Sequence, residues 1–247
     1  MGIRDELIEY MGGFITRHKR DLFDRIVQDR TTYIQAVLDA VDDPLDANAA
    51  FRSCECFGIQ RVHWIQGESG AKMSRGVSVG ATKWLDLSVS GPGTSLACAT
   101  GLRRSGLRLF AMSTRAEAVP LDRLPLDRPL ALMFTSETRG FTRDLDGEVD
   151  GFATLPMGGF GDHFNFSVAV ALSLQHLTAR IRKEGWPWQL DEGARTSLIL
   201  DWYATVPKSR RQMVARFLES KGLAWEALAP PVTSPKFWDL MGRPGEI

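Results

Sequence analysis

Short apolar runs recur from residue 32 to residue 157, and this alternation narrows the possible folds more than any other feature. They are TYIQAVLDAV (32–41), RVHWIQ (61–66), WLDLSV (84–89), LRLFAMS (107–113), LALMFTS (130–136) and GFATLPM (151–157). Runs of this length, rich in β-branched and aromatic residues, read as strands, although the first is ambiguous between helix and strand. Helical patterns lie between them, at 47–57 and around 94–105, and a long apolar helix follows over 164–185. The β-α-β-α order predicts an α/β fold with a parallel sheet and helices on both faces. A ligand then belongs at the carboxyl ends of the strands.

With 247 residues and 44% apolar content, the chain has material for one large domain, or for one domain with extensions. Thirty basic residues balance thirty acidic ones, so any polyanion must be met by a local patch and not by net charge. Cys54, Cys56 and Cys98 have no C-x-x-C spacing and read as free thiols, and no metal site is expected. No run of 18 apolar residues is present, and MGIRDELIEYMGGF has acids where a secretory leader needs a basic start. The expectation is a protein of the cytoplasm with no membrane partner.

Both ends of the chain differ from its middle. Residues 1–30 form a basic helical arm carrying Arg17, His18, Lys19, Arg20, Arg25 and Arg30 over Leu22, Phe23, Ile26 and Val27. Asp21, Asp24 and Asp29 are interleaved, which is also what an ordinary solvated face looks like. From Trp186, RTSLILDWYATV and SRRQMVARFLESKGL read as helices, followed by a Pro-rich tail that packs on the body or on a partner. The tryptophans of this region, Trp186, Trp188, Trp202, Trp225 and Trp238, suit base stacking or plain packing equally well. His63 and His176 read as scaffold histidines.

Three segments carry candidate chemistry. In DANAAFRSCECFGI (46–59), Ala47, Ala50, Phe51 and Cys54 make one apolar stripe, which turns Arg52 away from the core. There it either pairs with Glu55 on the surface or holds a phosphate or carboxylate in its planar fork. FTSETRGFT (134–142) is a strand running into a loop with Glu137 and Gly140. LPMGGFGDHFNFSVAVA (155–171) is a strand end, a glycine-rich turn and a helix start near Asn165, an arrangement that admits a ligand to the backbone and favours negative charge.

In this order the three segments resemble the motifs of the SpoU–TrmH family of RNA ribose 2'-O-methyltransferases, in the SPOUT superfamily. Ala49, Arg52, Phe57 and Gly58 match the first motif; Glu137, Gly140, Phe141 and Thr142 the second; Pro156, Met157, Gly159, Asn165, Ser167, Val168, Ala169 and Ala171 the third. SVGATKW (78–84) is similar to a stretch of the tRNA-modifying TrmH branch, and the likeness covers roughly residues 14–185. The resemblance implies a methyltransferase domain over 31–185 between the arm and a helical C-terminal extension (186–247). It also implies a trefoil knot near the C-terminal part of the core and a homodimer whose interface lies beside the site. S-adenosylmethionine is the implied cofactor, held by Met112, Ser113, Thr135, Leu155, Met157 and Phe164. Arg52, Glu137 and Asn165 are the implied catalytic residues. Arg17, Lys19, Arg20 and Lys83 would hold RNA, with tRNA the expected partner.

The chain departs from the family pattern at three positions. Asp46 replaces an asparagine six residues before the arginine, Thr135 replaces a glycine, and His163 replaces a serine. Asp46 offers a charge partner for Arg52 that competes with an RNA phosphate. Thr135 adds a branched side chain at the cofactor, and His163, beside Asp162, brings an imidazole to the site or fills the methionine end of the pocket. Two readings therefore stand: a methyltransferase, and a homologue that binds RNA without methylating it. A pocket repurposed around Asp46, Asp162 and His163 is a third, without metal-ligand spacing to support it.

Overall fold

A computed structural model of the chain describes residues 2–69, 80–136, 140–141 and 143–242. Its elements run α1 (Ile3–Gly12), α2 (Arg17–Val27), β1 (Ile34–Val41), α3 (Pro44–Cys56), β2 (Arg61–Gln66), β3 (Asp86–Ser90), α4 (Ser95–Arg104) and β4 (Arg108–Met112). They continue with β5 (Val119–Pro120), β6 (Leu130–Thr135), β7 (Gly151–Thr154), α5 (Phe166–Lys183), α6 (Glu192–Thr205), α7 (Arg210–Ser220) and α8 (Pro235–Met241). Two compact units result: Thr31–Gln189, and Met1–Arg30 with Leu190–Ile247.

In the first unit seven parallel strands form one sheet in the order β3-β2-β1-β6-β4-β7-β5. The ambiguous run at 32–41 is a strand, and all eight residues of β1 are buried, as a central strand covered on both faces requires. Side-chain alternation divides its neighbours between two cores. Leu38, Leu132 and Phe110 join Phe51, Val170 and Leu174 on one face. Val37, Met133 and Ala111 join Ala99 and Leu102 on the other. The strand β5, two residues long and containing Pro120, has no sequence signal of its own.

Helix α3 begins three residues before its expected start. Asp43 caps it, its carboxylate accepting from the Leu45 amide at 2.8 Å, and Pro44 opens the first turn where no amide is needed. Ala47, Ala50, Phe51 and Cys54 are buried as the stripe predicts, while Arg52 is exposed. Asp46 lies in the first turn, where a negative charge complements the helix N-terminus. Six helical positions separate it from Arg52, about 240° around the axis and ~9 Å along it, so the two side chains leave from different faces.

The second unit joins both chain ends. Leu7 and Met11 of α1, Phe23 and Val27 of α2, Trp202 of α6, Phe217 of α7 and Phe237 of α8 are all buried. Two corrections to the sequence reading arise here. Arg30, grouped with the exposed basic residues, is 1% exposed, with its guanidinium 5.4 Å from the centre of the Trp202 ring. Trp202 is equally buried and has no face to offer a base. The tail contains a helix as well: Ser234 caps α8, accepting from the Phe237 amide at 3.0 Å and donating to buried Asp201 at 2.7 Å.

Candidate functional site

Met112, Thr135 and Thr154 are the last residues of β4, β6 and β7, three strands adjacent in the sheet. Beyond their carboxyl ends lies a cavity of about 280 Å³. Ser113 and Thr114 continue from β4, Ser136, Gly140 and Phe141 from β6, and Leu155, Met157 and Asp162–Phe164 from β7; Phe166 and Ala169 of α5 close one side. Gly140 sits at φ +63°, a left-handed conformation that costs glycine little, and its amide donates to the Ser136 carbonyl at 2.9 Å. Ser136, Gly140 and Phe141 all face the cavity.

The six residues expected to hold a cofactor, Met112, Ser113, Thr135, Leu155, Met157 and Phe164, all line this one cavity. Thr135 is half-buried at its rim, and its register partner on β1 is Asp39. The wall at Phe141 is braced by a residue the sequence did not single out. The guanidinium of Arg115 lies 5.6 Å from the Phe141 ring centre and 4.3 Å from that of Phe152, and pairs with Asp146 at 3.0 Å.

Behind the cavity, Asp39 is buried and accepts from the Ser95 hydroxyl at the start of α4, while its carbonyl accepts from the Ser136 amide at 3.2 Å. Burial, and secondarily the Asp39 charge, push the nearby Cys98 thiol up to about 11, so it carries little thiolate at neutral pH. The three residues of this polar node, Asp39, Ser95 and Ser136, are far apart in the chain, so no local pattern marks it. Cys54 is buried as well, and Cys56 is an exposed free thiol.

The expected catalytic residues are placed differently. Arg52 projects from α3 and does not belong to the cavity lining; Glu137 and Thr142 lie outside the described residues. Asn165 caps α5, its carbonyl oxygen accepting from the Ser167 amide at 3.1 Å and hydroxyl at 2.8 Å. That cap alone accounts for an asparagine here. Asn165→Ala should therefore lower stability by about 1 kcal/mol, read as a drop in the urea midpoint; any loss of activity beyond the unfolded fraction is catalytic.

Of the expected RNA contacts, Arg17 is exposed 3.9 Å from Asp21, Lys19 and Arg20 are half-buried, and Lys83 is exposed with its ammonium 5.5 Å from the Trp84 ring centre. Residues 70–79, which include the start of SVGATKW, lie outside the described residues. His63 is a scaffold histidine as read: its Nε2 lies 2.9 Å from Gln35 Oε1, and burial lowers its pKa. Among the described residues no group of three or more His, Cys, Asp or Glu is placed to hold a metal ion, and no helix is long and apolar enough to cross a membrane.

The model of the SpoU rRNA methylase family matches residues 33–175. The chain belongs to that family. The tRNA (guanosine(18)-2'-O)-methyltransferase of Borreliella burgdorferi is 27% identical to it over 208 residues, covering 83% of this chain and 94% of the relative. The fold of this SpoU-family chain superposes on the A. aeolicus TrmH/SpoU tRNA modifying enzyme with a TM-score of 0.68, at 19% identity, over 77% of this chain and 98% of that one. It also superposes on the SpoU methyltransferase AviRb from Streptomyces viridochromogenes, solved in complex with AdoMet, with a TM-score of 0.51 at 18% identity, over 65% and 64% of the two chains.

Proposed function

We propose that this SpoU-family protein transfers a methyl group from S-adenosylmethionine to a ribose 2'-hydroxyl of tRNA, in the cytoplasm and as a homodimer. The observation that carries this reading is the cavity at the ends of β4, β6 and β7. Its lining suits the cofactor: Met112, Phe134, Leu155 and Phe166 offer apolar walls, and Ser113, Thr114, Thr135 and Ser136 offer hydroxyls and backbone groups. Bound there, S-adenosylmethionine supplies an electrophilic methyl group on a sulfonium. The remaining work is positional. Arg52, a fixed cation with a planar fork, orients the RNA phosphate and ribose and stabilises charge developing on the 2'-oxygen. Glu137 and Asn165 shape the site, and Arg17, Lys19, Arg20 and Lys83 hold phosphates. We take residues 31–185 as the methyltransferase domain, knotted near its C-terminal part as in its family, and the two end segments as extensions.

Dimerisation is supported by α5. One face of this helix is buried through Phe166, Val170, Leu174, Leu177 and Ile181, yet Val168 and Leu172, one turn apart, remain 43% and 41% exposed. A helix apolar on both faces calls for cover on both. Leu172→Asp should turn a dimer into a monomer, which sedimentation equilibrium reads directly; an unchanged mass would rule out this face as the interface.

The testing experiment is calorimetric titration with S-adenosylmethionine and S-adenosylhomocysteine, followed by mapping of ribose methylation in tRNA. Micromolar binding and a single methylated ribose are expected. No binding at millimolar ligand, together with cofactor-independent and salt-sensitive RNA binding, would replace this reading by that of a homologue that only binds RNA. No observation favours that alternative.

A further inference from the structure

Transfer of a methyl group to a ribose leaves a proton to be removed, and a guanidinium does not accept it. The geometry points to His163 as the general base, an inference that rests on the methyl-transfer reading above. His163 and Asp162 both line the cavity, and Nδ1 of the imidazole lies 2.7 Å from Asp162 Oδ1. A neutral imidazole that donates through Nδ1 carries its lone pair on Nε2. Asp162, itself 88% exposed, favours that tautomer and orientation, the role the carboxylate plays behind the histidine of a Ser-His-Asp triad. The imidazole is 58% exposed, so a ribose entering from solvent can reach it.

The step balances. The 2'-O–H bond breaks with its proton taken by Nε2, the oxygen bonds to the methyl carbon, and the electron pair of the former carbon–sulfur bond leaves with the thioether. The imidazolium so formed faces the Asp162 carboxylate, and its proton passes to solvent when product departs. No other titratable side chain belongs to the cavity lining among the described residues: the ends of β4, β6 and β7 contribute hydroxyls, thioethers and apolar groups, and α5 contributes Phe166 and Ala169. Glu137, outside the described residues, is the one further carboxylate that the family resemblance assigns to the site.

Two measurements test the assignment. In single-turnover methylation of tRNA at saturating cofactor, a His163→Ala variant should regain part of the wild-type rate when free imidazole is added, because the added base replaces the missing one. His163→Gln should lower the rate about 10²–10⁴-fold. Asp162→Asn should lower the rate as well, because the imidazole loses the carboxylate that orients it, and added imidazole should restore nothing to Glu137→Gln. Independently of cofactor and activity, ¹⁵N imidazole spectra of the four histidines should contain one Nδ1–H tautomer that is absent in His163→Gln. In Asp162→Asn that signal should lose its preference for the Nδ1–H form. A wild-type enzyme that methylates tRNA while His163→Gln keeps its rate overturns the inference and leaves the function intact; so does a His163→Ala variant that free imidazole fails to rescue. A wild type that transfers no methyl group to any tRNA overturns both.

Discussion

Arg52→Ala should lower the rate of methyl transfer about 10²–10³-fold, the cost of removing one group that stabilises developing charge on oxygen, without altering the affinity for S-adenosylmethionine. The separation follows from placement. Arg52 is exposed on α3 and contributes nothing to the cavity lining, while its neighbours Phe51 and Cys54 are buried, so its loss leaves both the pocket and the helix packing intact. Arg52→Lys should recover little, since a point charge cannot replace two parallel donors. Single-turnover kinetics beside calorimetry decides the matter. An alanine variant with wild-type kinetics would leave Arg52 an ordinary surface residue; a variant that loses cofactor binding would place the arginine in the pocket.

Much of this arrangement was legible in the sequence because it rests on periodicities that local physics enforces. The β6 run 130–136 and the α5 pattern were readable within two residues of their ends, since each must bury a contiguous apolar face. Arg52 was readable as turned outward, because Ala47, Ala50, Phe51 and Cys54 could only face the sheet. What escaped has physical reasons as well. Helix α1 was read as part of a helical arm but its packing was not: it repeats apolar residues at Ile3, Leu7 and Met11, and a stripe so narrow says little without α6 and α7 to cover it. Arg30 was misplaced because composition treats every arginine as solvated, whereas this one lies over Trp202, some 170 residues away in the chain. The Arg115 stack with Phe141 and Phe152 depends on three segments converging, and no local spacing encodes that. Motif likeness gathered the six pocket residues without any view of the cavity. It also grouped Asn165 with the chemistry, although its visible contacts are those of a helix cap.

The largest structural effect is expected from the residue next to Arg52. Phe51 is completely buried, and its ring meets that of Trp64 edge-on at 5.6 Å between centroids, fastening α3 to β2. Phe51→Ala removes this anchor and leaves a void between helix and sheet, at a cost of about 3–5 kcal/mol. Typical domains have roughly 5–15 kcal/mol in total, so the variant should unfold at a much lower urea concentration and lose a large part of its soluble yield. Phe51→Leu, which keeps most of the apolar volume, should cost less than half as much. The comparison with Arg52→Ala is what makes the pair informative. Adjacent positions on one helix should separate completely, one losing stability with its chemistry recoverable in the folded fraction, the other losing chemistry with its melting temperature unchanged. If Arg52→Ala also destabilises the fold, the helix does not divide its faces between packing and RNA, and the assignment of Arg52 to the reaction loses its structural basis.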